Sequence, residues 1–459
     1  PSTYHASAKD VYEEGAVIFP CMKLQSQGKM IDDVVRLGMT RIRVPQQWYG
    51  DLLAAVGSAR IGEQRLKALC DKYSGTTLKQ FIQQWFDYSE RRAIQAIANL
   101  PARTVENEGV YDPMPPTITE PIPIKVKICI EPEKGIITVD LRDNIDCLPC
   151  GLNLTEACAI SCAMIGVFNC IDASMPHNAG SFRRVRVLIR EGSAIGKVTH
   201  PYSASVATAA LAARVISKIQ TAFAKLGYGY GLSEGSNAAG AITGSVSGTD
   251  SRHDNAPYMN QIILCAMGGP ASPVADGWMT FAGPEVAGLV YRDSVELDEI
   301  KQPLLVDYMR IRTDTGGAGY RRGAPALEAQ FGAREDPITI SLGGDNHQSA
   351  PKGTHGGHDG RLVANTYIKR DGSETHLPPL CLMTLQAGER VRAEESSAGG
   401  YGEPHRREPA RVLNDVYAQL VSIEAARDIY RVAIEGCIED ESLVINEAET
   451  QTLRNTYID

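Results

Sequence analysis

The chain of 459 residues is 43% hydrophobic and 22% charged, enough to bury a substantial core and to form two to four domains. Its 46 Lys and Arg against 55 Asp and Glu give a formal net charge of -9, which argues against a general nucleic-acid binder, because neutralising phosphate needs a basic face. No apolar run reaches the roughly 20 residues that cross a bilayer, and the eleven Cys, odd in number and scattered, fit a reducing, cytoplasmic setting.

The N-terminal PSTYHASAKDVYEEG lacks the basic region and apolar segment of a secretory signal. It starts abruptly, as the interior of a longer ancestral sequence would. From about residue 30 to 100, GEQRLKALCDKY and TLKQFIQQWFDYSERRAIQAIANL repeat apolar positions at helical spacing, so residues 1–110 are expected to be helix-rich. The Pro-rich VYDPMPPTITEPIPI marks a boundary near 111–123. IKVKICIEPEKGIITVDL alternates on both sides of Glu133-Lys134-Gly135, the pattern of a β-hairpin. A helix over LTEACAISCAMIGVFNC, a strand in RRVRVLIREGS and a helix over SVATAALAARVISKIQTAFAKL complete a mixed α/β domain over 118–265. Residues 266–395 are Gly-rich with short strand candidates, LLVDYMRIRTD, PITISLGG and RLVANTYIKRDGSETHLP, and read as an antiparallel β-rich domain with long loops. Residues 396–459 form a helical tail, where Pro409 suits a first turn and Ser422 an N-cap. The fold class is α+β.

Several places have the composition of sites. Cys147-x-x-Cys150 and the pair Cys158 and Cys162 have spacings that zinc or an iron–sulfur cluster accepts. The second pair sits among Ala, Ile and Met on a helical face, where Cys packs as a small hydrophobe. EGSAIGKVTH is one residue short of a P-loop between Gly192 and Gly196 and has Val198 where Ser or Thr would hold magnesium. His347, His355 and His358 share a loop with Asp345 and Asp359, a metal-friendly set on a backbone too flexible to preset its geometry. Three further glycine turns hold polar side chains: HNAGSFRRVRV with Asn178 and Arg183, ADGWMTF with Asp276 and Trp278, and DTGGAGYRRG with Asp314, Arg321 and Arg322. Backbone N–H groups freed by glycine, beside guanidinium forks, can receive a carboxylate or a phosphate.

FDYSERRAIQAIANLP, HNAGSFRRVRVLIREGS, DTGGAGYRRGAPALEAQF and SAGGYGEPHRREPARVLNDVYAQLVSIEAARDIY follow one another in this order, after AKDVYEEG near the start. With these motifs the chain resembles, over essentially its whole length, the B subunits of the hydantoinase/oxoprolinase family, a group that includes N-methylhydantoinase B and a subunit of the acetone carboxylases. The resemblance implies a subunit of an ATP-dependent hydrolase of cyclic amides (hydantoins or lactams). An ATP-binding A-type subunit would hold ATP and Mg and phosphorylate the substrate carbonyl, so a hetero-oligomer is implied. An ATP-dependent ketone carboxylase of the acetone or acetophenone type is the alternative, and a truncated, non-catalytic structural partner a third reading. Family members carry a further N-terminal region with Asp- and His-rich motifs, so the ligands of a divalent metal, Zn or Mn, are expected outside this chain. ADGWMTFAGPEVAG stands where many hydrolases of the family have a His-Thr-His-like run, which implies a changed substrate pocket.

On this reading Asn178, Asp276 and Asp314 are the catalytic candidates, with Asn178 orienting the carbonyl. Arg183, Arg321 and Arg322 would bind an anion, with Arg183 facing inward, and Trp278 would pack on the substrate. SAGGYGEP lacks the basic residue and the Ser or Thr of a phosphate loop. It reads as a tight turn delivering two helices that dock on the body or on a partner chain.

Overall fold

The computed structural model describes residues 6–15, 21–206, 208, 210–237, 244–264, 267–281, 283–284 and 292–455. The chain opens with the short helix α1 (Val11–Glu14), a hairpin of β1 (Gln25–Ser26) and β2 (Lys29–Met30), and α2 (Asp32–Arg41). Two long helices follow, α3 (Pro45–Tyr73) and α4 (Gly75–Ala98). Ser74 separates them. Its φ of 68° lies in the left-handed region that no helix continues through, and its hydroxyl accepts from the Thr77 N–H, so one residue ends α3 and caps α4. Only the second half of α4 is buried, through Ser89, Ala93, Ala96 and Ile97.

The first sheet has the order β3 (Arg103–Tyr111), β4 (Ile122–Glu131), β5 (Ile136–Asp140), β6 (Val185–Leu188). Along β4, Ile122, Ile124, Val126, Ile128 and Ile130 are buried while Lys125 and Lys127 face solvent, because successive strand residues alternate between faces. The expected hairpin is present: β4 and β5 pair antiparallel around a turn at Pro132–Lys134, closed by Gly135 at φ 61°. β5 and β6 run parallel, and the crossover between them carries α5 (Glu156–Phe168) and the single turn α6 (Ala179–Phe182). The central helix α7 (Leu211–Ala224) is buried along its whole length. Helices α5 and α7 and the inner face of this sheet share one core. Strand β3 was not expected at the edge of a helix-rich region. Its nine-residue ladder with β4 satisfies its backbone and buries Val105 and Tyr111.

Two antiparallel sheets follow. They are built from β7 (Ser245–Asp250), β8 (Ala256–Gln261), β9 (Leu304–Ile311), β10 (Leu327–Ala333), β11 (Ile338–Gly343), β12 (Ala364–Ile368), β13 (Glu374–His376), β14 (Leu380–Leu385) and β15 (Arg390–Glu394). Helix α8 (Val295–Lys301) precedes β9. The orders are β14-β11-β7-β8 and β13-β12-β15-β10-β9, and the inner faces share a core that includes Val246, Ile340, Phe331 and Val391. Strands β7 and β8 precede residue 265 yet pair within this layer, so hydrogen bonding crosses the boundary expected at 265/266. The tail comprises α9 (Pro409–Tyr417), α10 (Ile423–Asp428), the pair β16 (Ile434–Glu435) and β17 (Val444–Ile445), and α11 (Glu447–Asn455). Val412, Val416 and Ala426 pack in one cluster with Ala318, so the tail helices dock on the body of this chain. Among the described residues no helix is long and apolar enough to cross a membrane.

Candidate functional site

Three glycine-rich stretches far apart in sequence meet backbone to backbone. The turn after Asp314 pairs with the segment after Ser397: Gly317 N–H donates to the Ala398 carbonyl at 2.9 Å, and Arg321 and Tyr401 exchange hydrogen bonds of 2.9 Å in both directions. The histidine loop joins them, with His358 N–H on the Ala318 carbonyl at 2.7 Å and Thr354 N–H on that of Gly400 at 3.0 Å. Such contact requires glycine. A Cβ on Gly323 would lie 2.2 Å from the Ala398 oxygen, and one on Gly399 would lie 2.3 Å from the Lys352 oxygen.

Beneath these loops α7 presents Arg214 and Lys218, one helical turn apart and so on one face. Arg214 Nε donates to Asp345 Oδ2 at 2.7 Å and its Nη1 to Glu234 Oε2 at 3.2 Å. Lys218 Nζ donates to Glu234 Oε1. Asp112 closes the group: its backbone N–H reaches Asp345 Oδ1 at 3.0 Å, and its Oδ2 accepts from the N–H groups of Gln348 and Ser349 at 2.7 and 3.0 Å. Asp112 Oδ1 is buried with no hydrogen-bond partner among the described residues. Arg214, Asp345, Glu234 and Asp112 are all within 2% of complete burial. Burial alone would lower the Arg214 pKa, but Asp345 and Glu234 outweigh it and hold the guanidinium charged. Burial likewise opposes the charge of Asp112, and the hydrogen bonds from Ser349 and Gln348 overcome it, keeping that carboxyl below its usual range.

Two members of this charged group, Lys218 and Glu234, reach a cleft of about 390 Å³ that Asn107, Lys352, Thr354 and His355 also line. Burial lowers the His355 pKa against the opposing pull of the Ala224 and Gly227 carbonyls, so the ring is neutral at pH 7. His355 packs 5.0 Å from the Tyr401 ring centroid. An ammonium and a neutral imidazole around one cavity can bind a carbonyl oxygen or an oxyanion and accept a proton. A larger recess of about 760 Å³ opens beside it over Glu106, Lys125, Lys127, Asp140 and Arg142. Its charges pair across the solvent face of the sheet, as in Lys127–Glu106 at 2.8 Å and Arg142–Asp140 at 2.7 Å. That recess is a solvated charged face, so the smaller cleft is the better site.

No three His, Cys, Asp or Glu side chains converge on a metal-sized site among the described residues, so these side chains do not fit the divalent metal that the family resemblance implied. Cys158 and Cys162 lie in the core along α5, and burial raises the Cys150 thiol pKa. In the histidine loop, burial pushes His347 down to about 4 despite the pull of Asp112, His355 faces the cleft, and the His358 carbonyl accepts from Gly400 N–H.

The seven residues singled out from sequence fall into separate places. Asp276 and Arg322 do come together. Asp276 makes a bidentate pair with Arg407 at 2.6 and 2.9 Å and accepts from Arg322 N–H at 2.8 Å. Asp415 bridges Arg407 at 2.8 Å and Arg322 at 3.5 Å. Burial works against the Asp276 charge and Arg407 more than offsets it, so its pKa is lowered. This second ion cluster ties the 276–278 and 320–323 loops to α9. Asp314, at φ 59°, accepts from Ser422 N–H at 2.8 Å at the start of α10. Arg321 stacks over the Tyr320 ring at 4.8 Å.

Three expected roles differ from what the structure shows. The Asn178 carboxamide, expected to orient a carbonyl, caps α6 through Gly180 N–H at 2.8 Å and donates to Ser89 Oγ at 2.8 Å. Arg183, expected to face inward, is 41% exposed and pairs with Glu90 at 2.8 Å and Asp87 at 3.3 Å on α4. Trp278, expected to pack, is 74% exposed. Of the cleft residues only His355 was singled out from sequence, as a metal-ligand candidate, although two cations four apart within the apolar-rich LAARVISKIQTAFA were a usable signal, since a buried cation demands a partner.

A family model described as Hydantoinase B/oxoprolinase matches residues 1–404. The chain is 27% identical over 450 residues to the caprolactamase subunit beta of Pseudomonas jessenii, covering 95% of this chain and 74% of that one. The crystal structure of the ATP-dependent caprolactamase from Pseudomonas jessenii superposes over 99% of this chain and 77% of its own, with a TM-score of 0.84 and 26% identity. A nucleotide-free acetone carboxylase superposes with the same TM-score over 100% of this chain and 66% of its own, but at 14% identity it shows likeness of fold alone.

Proposed function

The chain belongs to the hydantoinase B/oxoprolinase family, and we propose that it is one subunit of an ATP-dependent hydrolase of cyclic amides, working in the cytoplasm with an ATP-binding A-type subunit. The observation that carries this is the near-complete match, in sequence and in fold, to a protein named as a subunit of an ATP-dependent caprolactamase. This chain's only P-loop-like run, EGSAIGKVTH, fails at two positions, so the nucleotide and its magnesium are assigned to the partner.

A lactam resists water because its nitrogen lone pair delocalises into the carbonyl. Phosphoryl transfer from ATP to the amide oxygen would give an imidate-like ester whose carbon is electrophilic and whose phosphate can leave. Addition of water gives a tetrahedral adduct that opens the ring by breaking its C–N bond, the nitrogen leaving protonated as the amine, and a second water cleaves the resulting acyl phosphate to carboxylate and phosphate, with ADP as the other product. In the cleft, Lys218 would hold the oxygen that gains negative charge and neutral His355 would take the proton of the attacking water. Asp276, Arg322 and Asp314 would hold their glycine loops in place, and Arg321 and Trp278, on the same loops, would meet substrate or partner.

The test is to purify the chain with its A-type subunit and measure ADP release with caprolactam, 5-oxoproline and hydantoin, then with acetone and acetophenone, each with and without bicarbonate. Cyclic-amide-dependent ADP release supports the proposal. Bicarbonate-dependent consumption of a ketone replaces it with carboxylation. A stable complex that turns over ATP with none of these substrates points to a structural role.

A further inference from the structure

Helix α3 carries an apolar seam that lies exposed from Ala55 to Tyr73. None of its 29 residues is buried, and Leu66, Leu69 and Tyr73 are 57%, 45% and 49% exposed. Leu52, Ala55, Ala59, Gly62, Leu66, Leu69 and Tyr73 follow one another at alternating steps of three and four. That spacing keeps them on one line only if the helix winds around another, since a 3.5-residue repeat is the coiled-coil period. At the middle of the seam no heavy atom of a described residue lies within 4 Å of a Cβ built on Gly62. An exposed Gly there costs a lone helix about 1 kcal/mol, and it leaves room for a second backbone.

The seam is complementary to itself when run antiparallel. Placing Ala59 of one helix opposite Gly62 of another sets Leu52 against Leu69 and Ala55 against Leu66 in successive layers. Small residues meet at the centre and large ones lie outside it. The same register puts Asp51 against Lys72 on the flank, twice by symmetry, and Ser58 against Arg65. Residues 45–98 carry seven Lys or Arg against five Asp or Glu, so this is also a region where two acidic chains meet with little like-charge repulsion. At the Ser74 corner the apolar surface continues onto α4 with Phe81 and Trp85, 60% and 43% exposed and stacked at 6.4 Å. These five large side chains, at roughly 200 Å² each and half exposed, leave on the order of 500 Å² of apolar area. An interface burying about 800 Å² per partner contains a similar apolar area.

We propose that α3 is a dimerisation element, pairing antiparallel about a two-fold axis with α3 of a second copy of this chain. The pairing does not depend on the catalytic proposal and is tested without any activity. Light scattering coupled to size exclusion on the full chain at micromolar concentration should give twice the chain mass, and Leu66→Glu/Leu69→Glu should raise the dissociation constant at least a hundredfold. These residues are exposed, so circular dichroism and Tm should stay near those of the unaltered chain. Register is read separately: Tyr49→Cys should cross-link through native Cys70 of the other copy under mild oxidant and lose the cross-link when Cys70→Ser is added. Asp51→Lys should weaken the dimer, and Lys72→Asp added to it should restore it. A chain monomeric up to about 100 µM, or a dimer indifferent to Leu66→Glu/Leu69→Glu, overturns the proposal. So does a double variant that loses only the A-type subunit, which would assign the seam to that partner instead.

Discussion

His347 and Arg214 show how burial converts side-chain identity into measurable stability. His347 has a pKa of about 4 in the fold against roughly 6.5 unfolded. Between these values the unfolded chain binds a proton that the native chain refuses, so stability falls as pH drops through that window. Going from pH 7 to 4 should cost up to about 3 kcal/mol at this site, and His347→Gln should flatten that part of a denaturant-midpoint-versus-pH curve. An unchanged slope would mean that the ring is solvated. Arg214 fails differently. Arg214→Ala would leave Asp345 and Glu234 buried beside Lys218 alone, and losing one member of a buried ion group costs about 3–5 kcal/mol. A urea midpoint that barely moves would show that water reaches the cluster. Neither environment was legible from sequence. Arg214 and Lys218 signal buried charge in their helix, but the partners Glu234 and Asp345 stand twenty and more than a hundred residues from Arg214, where spacing carries no information. Asp276 and Arg322 were more legible, because polar residues inside glycine turns stand out locally. What local reading could not supply was that they would be spent on Arg407 and Asp415.

Among the elements, the most legible were those whose periodicity is enforced by one packed face. The β4–β5 hairpin follows from alternation around Gly135, and α5 and α7 from apolar residues recurring at helical spacing. Strand β3 was obscured because TVENEGVY, at a sheet edge, buries only Val105 and Tyr111 and so lacks a strict apolar alternation. The pairing of β7 with β11 depends on residues 90 or more positions away, beyond any local signal. The glycine turns read correctly as turns, but their mutual packing is a tertiary fact. Gly323→Ala tests it. The added methyl would sit 2.2 Å from the Ala398 oxygen, so backbone must move, at a cost of about 1–3 kcal/mol. Because Gly323 N–H also donates to the Gly317 carbonyl at 2.9 Å, the shift would propagate to the turn that meets Tyr401. Thermal unfolding should show a Tm loss of a few degrees for Gly323→Ala and none for Ser373→Ala, on an exposed loop. Equal losses would show that the glycine contact is not a packing constraint.

On the scale of the whole molecule, the proposed division of labour makes a prediction about stoichiometry rather than rate alone. If a partner phosphorylates the amide and this chain's cleft completes hydrolysis, the two half-reactions can be separated by altering the cleft. Lys218 is suited to this, since it lines the cleft and its charge is opposed by Glu234, while Arg214 keeps Glu234 paired when Lys218 is removed. Lys218→Met retains most of the buried stem volume that fills the space beside Gly109, where a Cβ would meet Lys218 Cε at 2.1 Å. In the assembled enzyme this variant should keep substrate-dependent ADP formation within a few-fold, while ring-opened product falls on the order of a hundredfold, the usual loss when one oxyanion donor is removed. Product per ADP would then drop well below one. If ADP and product fall together with the ratio unchanged, Lys218 acts before phosphoryl transfer, by binding the amide. If neither changes in a variant with native Tm, the reacting atoms are held elsewhere and the cleft is not the hydrolytic site.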